Sequence, residues 1–315
     1  MTPLTAKIRD EILHHGPMRF SRFMDLALYD SEHGYYRRRR HAGPDPFGRS
    51  GDFFTAEQLQ PVFGRLIAAA IDDLAAALRG AAKFTVVEIG AGRGEMADAL
   101  GRFHYVPIDI DGGEMPERFS GVVFSNEFFD ALPVETALRD GAAWREQRVG
   151  IRSDGFSFIA GPLVDEKAAR YLERHAHAEQ QLVELHFNAV EWMRRIAERL
   201  ERGYVLTIDY GYTAREAVRF PNGTLMSYRR HMACEDVLED PGNRDITSHV
   251  PFSVLQAAGE NVGLETICNE TLMQWLMRLG ESRFEQAISG GHALQLKTLL
   301  YGLGETFRVL LQRKP

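Results

Sequence analysis

The chain has 315 residues, 44% of them hydrophobic, and a net charge of −7 from 37 basic and 44 acidic side chains. Such a composition suits a packed globular protein and argues against disorder, and its acidic balance gives nucleic-acid binding no support. It holds no run of eighteen apolar residues, so no membrane span is expected; Cys234 and Cys268 stand too far apart for a disulfide framework or a zinc knuckle.

The segment Met1 to His15 mixes charges with isolated aliphatics, unlike a signal peptide, and its early acids are unlike a mitochondrial transit peptide. Together with the sparse cysteines, this sets a cytoplasmic location as the expectation. Two short helices are predicted over 4–14 and 19–29. The basic cluster Arg37 to Arg40 then reads as solvated loop, followed by an irregular glycine- and proline-rich segment over 41–51. Thr55, closing Gly51-Asp52-Phe53-Phe54-Thr55, is a good N-cap for the helix that follows, and the segment has the composition of a lid over a ligand. In that helix Leu59, Val62, Phe63, Leu66, Ile67, Ala70, Leu74 and Leu78 recur at three- and four-residue steps, giving one apolar face.

Val86-Val87-Glu88-Ile89-Gly90-Ala91-Gly92-Arg93-Gly94 is the most informative stretch. It reads as a buried strand over 84–89 running into a glycine-rich turn that opens a helix over 93–101. The glycines lie at i, i+2 and i+4, and Glu95 stands at i+5, where a dinucleotide fold has its third glycine. A carboxylate there is a poor neighbour for phosphate, so the spacing suits a nucleoside cofactor without phosphates, S-adenosylmethionine. A second strand over 104–110 carries Asp109 at its tip, fifteen residues after Gly94. An acid at that point can bond a ribose diol or cap a backbone group. Glu88, ending the first strand, can bind the cofactor's amino group or orient the loop.

A third strand over 121–125 delivers Ser125-Asn126-Glu127-Phe128-Phe129-Asp130-Ala131-Leu132-Pro133 to one rim of the sheet. On a helical turn Glu127 and Asp130, three apart, share a face. Two carboxylates with aromatic neighbours can clamp a guanidinium by bidentate bonding and cation–π contact; equally, they can be acids favouring the dipole of a short capped helix. A hairpin is predicted from 144–149 and 156–159, with Ser153-Asp154-Gly155 as its turn. There follow a helix over 187–200, a strand over 204–208 ending in Asp209, and His249 near Asp245 as a titratable group of structural character. A helix over 252–261, a strand over 264–268, helices near 271–279 and 291–301, and a closing strand over 305–311 complete the chain. Such alternation argues for a mostly parallel sheet covered on both faces, with ligands beyond the strands' carboxyl ends.

These segments in order, from Phe23-Met24 and Gly34-Tyr35-Tyr36 through the glycine loop, Asn126 to Val134, Asp209-Tyr210-Gly211, Gly223-Thr224-Leu225 and Asp245-Ile246-Thr247 to His249-Val250, resemble the MidA-type S-adenosylmethionine-dependent methyltransferases. The mitochondrial members of that family are protein-arginine methyltransferases that assist assembly of respiratory complex I. The resemblance implies an α/β fold, the Rossmann-like sheet of class I methyltransferases. It implies one domain over 1–315: a helical extension over 1–80 and a core over 81–315 with an insertion near 135–185. Only eleven residues separate Asp109 from Gly121, so the sheet is expected to be shortened on the adenine side. It further implies that Glu88, Gly90, Gly92 and Gly94 hold the methionine part of the cofactor, Asp109 the ribose, with Thr55 among the cofactor-binding residues. Asn126, Glu127 and Asp130 would border the transferred methyl as the catalytic set. The implied partner is a protein substrate, with no metal and no nucleic acid. The alternatives are a small-molecule methyltransferase and a non-catalytic assembly module that keeps the fold; a nicotinamide dehydrogenase is the weakest, because of Glu95.

Overall fold

The computed structural model describes residues 1–37, 59–78, 83–153, 155–229 and 232–315. Its strands in chain order are β1 (Met18–Arg19), β2 (Phe84–Ile89), β3 (His104–Ile108), β4 (Phe119–Asn126), β5 (Glu135–Asp140), β6 (Ala143–Arg152), β7 (Gly155–Leu163), β8 (Leu182–Leu185), β9 (Leu200–Tyr212), β10 (Met226–Arg229), β11 (Met232–Cys234), β12 (Asp245–Thr247), β13 (Val250–Pro251), β14 (Glu265–Thr271) and β15 (Phe307–Lys314). The chain forms two compact units, each assembled from three separate segments. One comprises Met1–Phe54, Asp130–Asn188 and Thr213–His249; the other comprises Thr55–Phe129, Ala189–Tyr212 and Val250–Pro315.

The second unit is the Rossmann-like one. Its sheet runs β14-β15-β9-β4-β2-β3, with β13 added beside the end of β9. β2 pairs in parallel with β3 and β4, β4 pairs in parallel with β9, and β15 runs antiparallel to β9 and β14. Val86, Val87 and Ile89 are buried in a near-continuous apolar run, as a parallel strand covered on both faces requires. β3 is the edge strand of this sheet order. Thr85, Gly121 and Gly203 stand side by side across three strands. A Cβ on Gly121 would lie 1.9 Å from the Thr85 carbonyl oxygen, and Gly121 has φ +152, so only glycine fits. The helix Val62–Ala77 buries Val62, Phe63, Leu66, Ile67, Ala70 and Ile71, the face its sequence period marks.

The first unit holds a five-stranded antiparallel sheet, β1-β6-β5-β8 with β7 on β6, and a small sheet β11-β10-β12. Helices Pro3–His15 and Phe20–Tyr29 pack with it. The first is capped by the Thr2 hydroxyl, which accepts from the Thr5 N–H at 3.1 Å, and has Pro3 at its start. Phe20 and Phe23 are wholly buried, their rings 5.4 and 5.6 Å from Phe158 and Phe156 of β7. Leu4, Ile8, Met24, Val134, Val149 and Ile246 complete this core, which draws on all three segments.

The expected hairpin is β6–β7, with part of its turn outside the described residues. The helix expected over 93–101 shrinks to Ala97–Leu100, because Gly90, Gly92 and Gly94 all take positive φ and keep the preceding chain as loop. Near 291–301 the α-helix Ala293–Lys297 passes into a π-helical turn, Thr298–Leu303. The sequence pattern did not reveal β5 and β8.

Candidate functional site

At the carboxyl ends of β2, β3 and β4 the second unit gathers Glu88, the glycine loop, Asp109 and the turn Asn126–Phe129. The N–H groups of Gly90 and Ala91 both donate to the Ile108 carbonyl, at 2.9 and 3.1 Å, which ties the loop to the tip of β3. Asp109 uses both carboxylate oxygens on backbone: Oδ2 accepts from Gly92 N at 2.8 Å and Oδ1 from Ile110 N at 2.7 Å. Of the two readings of Asp109, the capping one is therefore realised, and each oxygen keeps a further lone pair. The Glu95 carboxylate folds back on the loop, its oxygens accepting from Arg93 N at 2.9 Å and Arg93 Nε at 2.7 Å.

Glu88 is 1% exposed. Its Oε2 accepts the Tyr105 hydroxyl, while Oε1 is buried with no hydrogen-bond partner among the described residues. Burial pushes its pKa up to about 7; the Tyr105 bond pulls the other way, and the nearby charges of Glu95 and Asp109 push further up. The parallel register sets Glu88 beside Phe124, so Asn126, two residues on, projects from the same face of the sheet. Asn126 Nδ2 donates to Glu127 Oε1 at 3.2 Å, and its Oδ1 is a second buried acceptor with no partner among the described residues. An acid-rich end of a sheet with two buried acceptors to spare suits a cationic ligand and repels phosphate. S-adenosylmethionine, with its ammonium and sulfonium, fits this donor set.

The segment after β4 is not the helical turn that the spacing of Glu127 and Asp130 suggested. Glu127 has φ +49, in the left-handed region, and its N–H donates to the Ile208 carbonyl at 3.0 Å. From there the chain is held by Asp209, which is fully buried. Its Oδ2 accepts from Phe128 N at 3.2 Å and Phe129 N at 3.0 Å, and its Oδ1 from Tyr210 N at 2.9 Å. The Phe128 ring lies over Gly90, where a Cβ would meet its Cδ2 at 2.9 Å, and meets Trp192 edge-on at 5.1 Å. Asp130 belongs to the first unit, where its carbonyl accepts from Ser248 N at 3.0 Å. There Asp245, 2% exposed, accepts from the Tyr36 hydroxyl at 3.0 Å. The His249 ring faces Phe220 edge-on at 5.2 Å, and the backbone N–H of His249 donates to the Thr224 hydroxyl at 3.0 Å. Thr55 lies outside the described residues. Sequence reasoning missed Tyr105 and the double acceptance by Asp209. Tyr105 carries no motif signal, whereas Asp209 stood out only as a strand-end acid.

A Rossmann-like sheet with this loop, and without a phosphate cradle, defines a nucleoside-cofactor methyltransferase. The chain belongs to the S-adenosyl-L-methionine-dependent methyltransferase family whose model matches residues 100–268. Protein arginine methyltransferase NDUFAF7 homolog, mitochondrial, from Drosophila melanogaster is 25% identical over 92% of this chain and 78% of its own length. The Mus musculus protein of that name is 24% identical over 98% and 83%. The crystal structure of a COG1565 superfamily member from Burkholderia thailandensis, bound to S-adenosyl-homocysteine, superposes with a TM-score of 0.85 at 30% identity, covering 98% of this chain and 91% of that one. The chain is accordingly an S-adenosylmethionine-dependent methyltransferase. The animal relatives are named as mitochondrial proteins, which runs against the cytoplasmic expectation. Sparse cysteines do not tell one reducing compartment from another. Among the described residues, no helix is long and apolar enough to cross a membrane.

Proposed function

We propose that the chain methylates an arginine side chain of a partner protein. The observation that carries the site reading is the pair of buried acceptors without a partner among the described residues, Glu88 Oε1 and Asn126 Oδ1, at the mouth of the glycine loop; the names of the curated relatives supply the acceptor class. When bound, S-adenosylmethionine supplies a methyl group on a sulfonium, open to in-line displacement. Glu88 would accept from its ammonium, and the Gly90–Gly94 loop would hold the methionine part. Asp109 holds the loop through Gly92 and offers its remaining lone pairs to the ribose. Glu127 orients the guanidinium and takes up the proton released as the methyl arrives, an arrangement of positioning and proton transfer rather than covalent catalysis.

The test is incubation of the purified chain with tritiated S-adenosylmethionine and arginine-containing peptides, with products read by mass spectrometry. Methylarginine, lost in Glu127→Ala, is the expected result. Turnover confined to small molecules would replace this reading with the small-molecule alternative.

A further inference from the structure

Glu127 is one of three non-glycine residues with positive φ among those described, and it stands in the turn that would border the reacting methyl. An L-residue holds the left-handed conformation only where its surroundings impose it. Its N–H donates to Ile208 and one carboxylate oxygen accepts from Asn126, and neither bond fixes the peptides that follow. The following peptides instead point both N–H groups, those of Phe128 and Phe129, at one oxygen of Asp209. Successive N–H groups after a left-handed residue form an anion-binding concavity, and here the anion is a buried side chain from the neighbouring strand. The other Asp209 oxygen is pinned by Tyr210 N–H. Phe128, fixed in this way, carries its ring onto Gly90 of the cofactor loop.

We propose that Asp209 is a positioning residue: by capturing the Phe128 and Phe129 N–H groups it locks Glu127 left-handed and sets the catalytic turn against the glycine loop. This rests on the reading of Asn126 and Glu127 as the border of the methyl-transfer site.

The experiment is a double-mutant cycle of Asp209→Ala and Glu127→Gly, read by thermal unfolding, with S-adenosylhomocysteine affinity measured on each protein by calorimetry. Alanine removes the acceptor, and glycine takes positive φ without strain. Glu127→Gly is therefore expected to shift Tm more favourably in the wild type, where Asp209 imposes the left-handed φ, than in Asp209→Ala, where the turn can relax. If Asp209→Ala alone fails to fold, Asp209→Asn takes its place: its amide oxygen can still accept both N–H groups, so it should fold and keep the wild-type response to Glu127→Gly. An equal response in the wild-type and Asp209→Ala backgrounds, or an Asp209→Asn protein without the wild-type response, would overturn the proposal. Methyl transfer to arginine-containing peptides supplies the functional arm. Asp209→Ala should lose at least tenfold in kcat while the KM for S-adenosylmethionine and the S-adenosylhomocysteine Kd stay within threefold. Parallel losses in all three would mean a merely structural role. A wild-type chain that binds no S-adenosylhomocysteine would instead sink the site reading, while the cycle would still report on the lock.

Discussion

Glu88 carries the pH dependence of this site. Its burial costs stability whenever it is ionised. With a folded pKa of about 7 against an ordinary 4.5, its contribution to the apo fold is fully present below pH 4.5 and is lost as pH rises through 7. In the proposed site, cofactor binding should have the opposite sign, because an ammonium needs the ionised carboxylate. Affinity for S-adenosylhomocysteine, measured by calorimetry, should rise roughly tenfold between pH 6 and pH 8. Glu88→Gln should abolish that rise, weaken binding at pH 8 and stabilise the apo protein there. A slope unchanged in Glu88→Gln would assign the titration elsewhere. Gly90 is legible in the sequence as part of a motif, but its reason is tertiary: a methyl there meets the Phe128 ring at φ +77. Gly90→Ala should therefore cost about 1–2 kcal/mol in a urea melt and loosen the cofactor loop as well. Glu127 shows what sequence spacing cannot supply. Three-residue separation from Asp130 implies a shared face only if the turn is helical, and a left-handed φ imposed from β9 is invisible to local pattern.

Elements with their own periodicity were legible. β2, the helix Val62–Ala77 and Phe252–Asn261 bury the residues that a continuous apolar run or 3.6-fold recurrence marks, since burial there follows from local pattern. β5 and β8 carry mixed polar sequence, and their identity depends on pairing partners distant in the chain. β8 also holds a buried acid whose purpose appears only in three dimensions. Glu184 Oε1 accepts from Thr224 N at 2.5 Å and Leu225 N at 3.1 Å, fastening the Gly223–Leu225 turn whose Thr224 hydroxyl receives the His249 N–H. Burial raises its pKa, and those backbone bonds lower it. Glu184→Ala leaves two N–H groups without their acceptor and should destabilise the protein by about 2–3 kcal/mol in denaturant melts. Glu184→Gln keeps an acceptor oxygen and should recover most of that loss. Equal losses in the two variants would show that charge, rather than the acceptor geometry, holds the turn.

At the scale of the molecule, chain order and spatial grouping part company, because each unit interleaves three segments. From sequence the first eighty residues read as an extension, yet helices Pro3–His15 and Phe20–Tyr29 supply Leu4, Ile8, Phe20, Phe23, Met24 and Leu28 to the core of the first unit. All six are 1% exposed or less. At about 1.5–3 kcal/mol for each fully buried apolar side chain, they contribute on the order of 10 kcal/mol. That is comparable with the whole stability of a typical domain, roughly 5–15 kcal/mol. A true appendage could be removed with little effect on the remainder; these helices cannot. Deleting residues 1–29 should abolish the cooperative thermal transition of the first unit and expose Phe156 and Phe158 of β7, which their rings cover. The measurement is circular dichroism melting together with a hydrophobic dye, beside the full chain. A truncated protein with an unchanged transition and no added dye binding would restore the view of an accessory extension.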